Sequence, residues 1–107
     1  MKKIIIAIAA AGMVAFGMNA QARSGEDIVN AVCKNCHMPP VAASVKSPEL
    51  GNKEQWAPSI AKGMPALYEV AINGSKTNPA MVPRGTCADC TDEELKTAVD
   101  HMVKVSQ

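Results

Sequence analysis

The spacing of apolar residues along the chain predicts four helices, which are separated by segments rich in proline and glycine. The last helix has the clearest signals, because Thr91 and Glu94 form a capping box and apolar residues follow at helical spacing. No stretch alternates between apolar and polar residues as a half-buried strand would. The sequence therefore predicts one all-α domain. The first helix is expected to begin at Ser24 and to run into residues 33–37. The others are expected over 53–62, over 65–73, and from Thr91 onward.

Residues 38–51 interrupt this helical pattern. Pro39, Pro40 and Pro48 fall within this segment, and proline in a helix interior removes a backbone donor and clashes with the preceding turn. We therefore expect a loop here. Pro58 is likewise disfavoured inside the second predicted helix, so that helix could begin later than residue 53.

The first 22 residues have the pattern of a secretory signal peptide. Two lysines follow Met1, an apolar run extends over 4–18, and Ala20-Gln21-Ala22 matches the A-x-A cleavage signature. The run is shorter than the roughly 20 residues that a spanning helix needs, although an uncleaved anchor is the alternative. We expect cleavage after Ala22, export, and a mature domain of residues 23–107 without stable membrane insertion.

The expected mature domain contains few large side chains with which to build a core. Trp56 and Tyr68 are its only aromatic residues, and aromatic residues make up 3% of the whole chain. A small domain with so little apolar bulk needs a further stabilising element in its core. The formal net charge of +1, with no block of lysine or arginine, argues against nucleic acid as the partner.

Cys33-Lys34-Asn35-Cys36-His37 has the form C-x-x-C-H, the sequence by which c-type haem is attached. Two thiols separated by two residues lie on one face of a helical turn, so both can bond to the vinyl groups of one porphyrin. The adjacent histidine can then ligate the iron through a ring nitrogen. The sequence therefore predicts one covalently bound haem c, held by Cys33, Cys36 and His37.

Three other kinds of site could use the four cysteines, which include Cys87 and Cys90. Zinc ribbons place their two pairs about 15–20 residues apart, much closer than the pairs lie here. A thioredoxin-like dithiol occurs near a βαβ pattern, which this sequence lacks. A scaffold of two disulfides agrees with export but leaves His37 unexplained. Haem attachment accounts for the histidine and for the thin core as well.

A haem iron has a second axial position, and Met81 is the residue expected to fill it. Met81 stands between Pro79 and Pro83, and the two prolines stiffen a loop that would otherwise gain entropy on release. The other candidates are better explained by helix packing, by surface exposure or by position next to His37; they are Met38, Met64, Met102 and His101. With both axial positions filled, one-electron transfer is the expected reaction.

The C-x-x-C-H sequence and the later methionine loop resemble those of class I cytochromes c, and the second half resembles more narrowly the cytochrome c5 group. The similarity covers nearly all of 25–104 and is strongest after Lys53. The residues that carry it are Trp56-Ala57-Pro58, Ile60-Ala61-Lys62-Gly63-Met64, Ala80-Met81 with Pro83, Gly85-Thr86-Cys87-Ala88-Asp89-Cys90 and Asp92-Glu93-Glu94-Leu95-Lys96.

This resemblance implies a class I cytochrome c fold, with about four helices around one haem, and a small periplasmic electron carrier of a Gram-negative bacterium. It implies iron ligation by His37 and Met81 and a hydrogen bond from that histidine to a proline carbonyl, for which Pro48 is the candidate. It also implies a disulfide between Cys87 and Cys90, for which a redox-active dithiol is the alternative. Redox proteins in transient complexes would be the partners.

The sequence favours an electron carrier that is not an enzyme. Two other classes of function are alternatives. A haem-based ligand sensor or peroxidase-like enzyme would require Met81 to be displaceable from the iron. A disulfide-bonded binding module would require no haem at all. The chain also departs from the family pattern at Val82, because proline usually follows the methionine directly.

Overall fold

The structure, a computed structural model, describes residues 22–107 and forms five helices there, without a strand in that range. Helix α1 consists of three consecutive segments, Gly25–Ile28, Val29–Cys33 and Lys34–His37. The remaining elements are α2 (Val41–Val45), α3 (Lys53–Ala61), α4 (Met64–Asn73), a 3-10 helix at Pro83–Thr86, and α5 (Asp92–Val105). The all-α prediction is confirmed.

The apolar run of the expected signal peptide falls within residues 1–21, which lie outside the described part of the chain. Among residues 22–107, no helix combines the length and the apolar character needed to cross a membrane.

Helix α1 begins at the cap predicted from sequence. The Ser24 hydroxyl accepts a hydrogen bond from the backbone N–H of Asp27 at 3.1 Å, which satisfies one of the unpaired donors of the first turn. The middle segment is a π-helical turn, in which the N–H of Lys34 donates to the carbonyl of Val29, five residues earlier. The helix then continues into the C-x-x-C-H sequence, as expected.

Helix α2 is a short element inside the segment 38–51, where the sequence predicts a loop, and it brings the number of helices to five. Pro39 and Pro40 precede this helix rather than interrupting it, so they remove no hydrogen bond from its interior. Ala42 is fully buried. The helix ends at Lys46, which adopts a left-handed conformation with φ 59°. Ala42 is the one buried residue of this short turn.

Helices α3 and α4 have nearly the bounds that the sequence predicts. Asn52 caps α3 by accepting a hydrogen bond from the N–H of Gln55 at 3.0 Å, and Pro58 lies inside the helix without delaying its start. Helix α4 ends at Gly74, whose φ is 88°. A Cβ there would lie 3.1 Å from Pro83 and 3.2 Å from the carbonyl oxygen of Met81, so glycine lets the methionine loop pass closely.

Helix α5 confirms the predicted capping box and apolar stripe. The Thr91 hydroxyl accepts from the N–H of Glu94 at 3.0 Å, and the Glu94 carboxylate accepts from the N–H of Thr91 at 2.9 Å. The predicted stripe is buried in the core; it consists of Leu95, Val99, Met102 and Val103.

Helix α1 packs against α5 at close range. Ile28 and Val29 are buried in the same cluster as the α5 stripe. A Cβ at Gly25 would overlap the carbonyl of Thr97 and would lie 2.7 Å from its carbon, so only glycine allows this approach. The start of α1 is therefore fixed against the first turns of α5.

Candidate functional site

A cavity of about 320 Å³ lies among the helices, and each of the five contributes to its walls. The walls are mainly apolar and include Val32, Leu67, Val70, Leu95, Val99 and Met102. Protein interiors are normally packed with few voids larger than a water molecule. A cavity of this size in so small a domain therefore indicates a site for an apolar organic group.

The C-x-x-C-H residues reach this cavity from the end of α1. Cys33 is half-buried and Cys36 is exposed, and the two sulfurs are not joined to each other. Burial raises the pKa of the Cys33 thiol to about 11. A reactive dithiol needs a lowered thiol pKa, so the environment of Cys33 does not suit the thioredoxin-like alternative.

His37 is held in one orientation and one tautomer. Its Nδ1 lies 2.8 Å from the carbonyl oxygen of Pro48, as the family resemblance implies. Because a carbonyl can only accept, Nδ1 carries the proton and Nε2 keeps a lone pair. The ring also stacks on Trp56, with 5.7 Å between the ring centroids. Burial lowers the pKa of His37, against the opposing effect of the Pro48 hydrogen bond, and so favours the neutral imidazole that a metal requires.

Met81 lines the same cavity from the loop before the 3-10 helix. Its N–H donates to the carbonyl of Asn78 at 3.0 Å, and its carbonyl accepts from the N–H of Ser75 at 2.9 Å. The structure therefore brings together all four residues that the sequence assigns to the haem. Of the other candidate ligands, Met102 also lines the cavity from its buried position on α5, whereas Met38, Met64 and His101 do not.

Asn78 holds the methionine loop in place, although no sequence pattern singles it out. Its side-chain amide donates to the carbonyls of Val45 at 2.9 Å and Lys46 at 3.3 Å, where α2 ends. Its side-chain oxygen accepts from the N–H of Ala80 at 3.1 Å. One side chain thus ties the methionine loop to a helix more than thirty residues earlier in the chain, and both ends of this link lie beside the cavity.

Cys87 and Cys90 lie just before α5 and do not line the cavity. Their sulfurs are in bonding contact, their Cα atoms are 5.5 Å apart, and both residues are buried. They connect the end of the 3-10 helix to the N-terminus of α5.

The donor set fits a haem c. Two thiols one helical turn apart meet a neutral imidazole with an available Nε2 and a thioether, and all four face a mainly apolar cavity. A structural zinc site has four thiolate or imidazole ligands, whereas this set contains three of them and a thioether.

Known proteins are similar in sequence to this chain. Residues 20–102 match the family described as cytochrome c oxidase, cbb3-type, subunit III. The chain is 39% identical to cytochrome c5 of Azotobacter vinelandii over 83 residues, which cover 76% of this chain and 93% of that protein. It is 36% identical to cytochrome c-555 of Chlorobaculum tepidum over 87 residues, which cover 80% of this chain and 78% of that protein.

A solved structure is also similar to this chain. It is a cytochrome c in a crystal structure described as an electron-transfer complex with nitrite reductase. The match has a TM-score of 0.68 and 34% sequence identity, and it covers 81% of this chain and all of that one. The chain therefore belongs to the cytochrome c family. Like cytochromes c5 and c-555, it is an electron carrier and not an enzyme.

Proposed function

We propose that this protein transfers single electrons in the periplasm of a Gram-negative bacterium through one haem c. Cys33 and Cys36 would hold the porphyrin by thioether bonds, and His37 and Met81 would be the axial ligands of the iron. The observation that carries this proposal is the 2.8 Å contact between Nδ1 of His37 and the carbonyl oxygen of Pro48. This contact leaves Nε2 available in the cavity that Met81 also lines.

Each of these residues has a distinct task. When bound, the haem supplies an iron that alternates between Fe(II) and Fe(III). Pro48 keeps the proton on Nδ1 of His37, and Trp56 fixes the plane of its ring. The thioether of Met81 favours the reduced iron, and the apolar walls disfavour additional charge on the oxidised iron. Both effects raise the reduction potential.

Export and the second cysteine pair form part of the same proposal. Residues 1–22 would be removed as a signal peptide, leaving 23–107 in a compartment where disulfides persist. The contact between the sulfurs of Cys87 and Cys90 supports a disulfide there. The closed loop is short, so the bond would act locally, on the segment between the methionine loop and α5.

The partner would be another redox protein that docks briefly over a small area. The relative solved in complex with nitrite reductase supports this class of partner. The near-neutral charge and the length of the apolar run support the expectation of no nucleic acid partner and no stable membrane insertion.

Two measurements on the exported protein test this function. We expect the mass of the denatured chain to include one haem, because thioether bonds survive denaturation. We expect the reduced native protein to bind carbon monoxide only weakly at neutral pH, because both axial positions are filled. A colourless product would instead favour the binding module without haem. Rapid carbon monoxide binding would favour a ligand sensor or peroxidase-like enzyme with a displaceable Met81.

A further inference from the structure

Glu94 has a second set of hydrogen bonds besides its capping box. The residue is only 7% exposed, and its carboxylate accepts from the backbone N–H of Arg23 at 2.8 Å. The guanidinium of Arg23 lies beside the same carboxylate, with Nη2 at 3.3 Å and Nε at 3.4 Å. A buried carboxylate at the start of α5 is therefore satisfied largely by a single residue that is 71 positions earlier.

The nitrogen in the shortest of these contacts is the atom that signal removal would change. Arg23 directly follows Ala22, the last residue of the A-x-A signature. We propose that cleavage between Ala22 and Arg23 creates an α-ammonium that pairs with Glu94, so that processing of the chain completes the contact between α1 and α5. This inference rests on the proposed export and extends it to a structural role for the new N-terminus.

The chemistry of the step is a hydrolysis with water as the co-reactant. Water adds across the Ala22–Arg23 peptide bond, the hydroxyl passes to the carbonyl carbon of Ala22, and the Arg23 nitrogen leaves with a proton. At neutral pH this nitrogen binds one further proton. An amide with one N–H donor thus becomes an ammonium with three donors and a full positive charge, beside a carboxylate that is largely withdrawn from water.

The charges around this nitrogen can accommodate the new one. The Arg23 guanidinium also faces Asp89, with 3.5 Å between Nη2 and a carboxylate oxygen, and it donates to the Asp89 carbonyl at 3.3 Å. Its Nη2 also lies 3.5 Å from the sulfur of Cys90 and 4.0 Å from that of Cys87. Two carboxylates, those of Glu94 and Asp89, would therefore face two cationic groups of Arg23.

The position of this pair links it to the haem-binding end of the molecule. Ser24, the next residue, caps α1, and Gly25 packs directly against Thr97 of α5. An ammonium held by Glu94 would fix the position of Arg23, which directly precedes this contact between α1 and α5. Because α1 continues into Cys33, the pair would stabilise the helix that presents the attachment sequence to the cavity.

The first test identifies the N-terminus of the exported holoprotein by intact mass and N-terminal sequencing. We expect the chain to begin at Arg23. A start at any other residue would overturn the inference. The proposed electron-transfer function would survive that result, because it depends on the haem signal in the same mass spectrum.

The second test is a double-mutant cycle on the holoprotein. The first change adds one alanine before Arg23, at a position that is exposed in the structure. The second change is Glu94→Gln. The extension should lower the folding equilibrium constant roughly fivefold in the wild-type background, because a charge-assisted hydrogen bond becomes a neutral one. It should have no effect in Glu94→Gln. An equal effect in both backgrounds would overturn the pairing.

Glu93→Gln provides the matched control, because the Glu93 side chain is largely exposed and its ion pair is with Lys96. The extension should keep its full effect in that variant. Titration of the α-amine in the wild-type holoprotein provides a readout that needs no variant. Its pKa should lie above the ordinary value of about 8, because pairing with a carboxylate stabilises the ammonium. A value at or below 8 would contradict the inference.

Discussion

The proton on His37 determines which of its ring nitrogens can bind a metal. Pro48 accepts that proton's hydrogen bond at Nδ1, and stacking on Trp56 keeps the ring in the same plane. A hydrogen bond at one nitrogen also makes the other a stronger ligand. Two residues that never touch an iron atom thereby set the orientation and the basicity of the proposed ligand.

Replacement of Met81 tests the second axial ligand. In Met81→Ala we expect the sulfur-to-iron absorption band to disappear and the reduction potential to fall by on the order of 0.1 V, because the thioether favours Fe(II). Visible spectroscopy and a redox titration provide the measurements. Met38→Ala is the matched control, because Met38 is 41% exposed, and it should keep the band. Survival of the band in Met81→Ala would assign the ligand to another residue.

Glu94 predicts how stability changes in acid. Hydrogen bonding by Arg23, followed by that of the Thr91 backbone, lowers the pKa of Glu94 from its ordinary 4.5 to about 2. A carboxyl group with a depressed pKa stabilises the fold above the unfolded-state value, and this stabilisation is lost as the pH falls through the folded-state value. Thermal unfolding of the holoprotein should therefore show a loss of stability between about pH 4.5 and 2.

Glu94→Gln should weaken this dependence, because an amide cannot titrate. Glu93→Gln should preserve it, since Glu93 is exposed and makes only a surface ion pair with Lys96. If the acid-induced loss has the same slope in Glu94→Gln as in the wild type, another carboxylate is responsible for it.

At the scale of elements, the methionine loop depends on a helix that is distant in sequence. Asn78 links the loop to the carbonyls at the end of α2, and Gly74 allows the loop to pass close to the end of α4. The loop is therefore held by contacts on both sides as well as by its own prolines.

Asn78→Ala should loosen the loop. Loss of its side-chain hydrogen bonds leaves the carbonyls of Val45 and Lys46, neither of which is a buried residue, without that donor, and we expect a loss of about 0.5–1.5 kcal/mol in the free energy of unfolding. The sulfur-to-iron band should also weaken. Asn73→Ala is the control, because Asn73 is exposed and bonds only within α4, to Glu69. Equal effects of the two substitutions on the band would argue against a positioning role for Asn78.

The elements that the sequence predicts correctly are those marked by interactions between residues close together in the chain. Ser24, and Thr91 with Glu94, mark helix starts through bonds to residues three positions away, which a sequence pattern can encode. Helix α2 was missed because it has five residues and one buried side chain, Ala42, which are too few to give a periodic pattern. Asn78 was missed for a related reason: its partners are more than thirty residues away, and no local pattern records them.

At the scale of the whole molecule, the cavity occupies the place where a core would normally be. All five helices face it, and the buried cluster at the α1–α5 contact has few large side chains. A bound group that contacts every helix would contribute apolar surface that the sequence itself lacks. The four proposed haem residues could be predicted from sequence, whereas the shape of the cavity could not, because it depends on how all the helices pack.

The Cys33→Ser/Cys36→Ser variant tests this dependence on the haem. We expect the chain to lose most of its helical circular dichroism, because without covalent attachment the cavity remains unfilled or is filled only transiently. Cys87→Ser/Cys90→Ser is the matched control with the same spacing. It should keep its haem and lose roughly 2 kcal/mol at most, because the closed loop is short. A fully helical, cooperatively folded chain in the first variant would contradict the prediction.

The π-helical turn in α1 has a consequence for changes in chain length. Each residue of an α-helix advances the direction of the next side chain by about 100°, and the wide turn at Val29–Cys33 absorbs one residue of surplus length. A one-residue deletion inside the turn would let it close to ordinary helical spacing and would leave the following side chains aimed as before. An insertion there would need a second wide turn, or it would turn Cys33 and Cys36 away from the cavity. The helix can therefore shorten by one residue far more easily than it can lengthen.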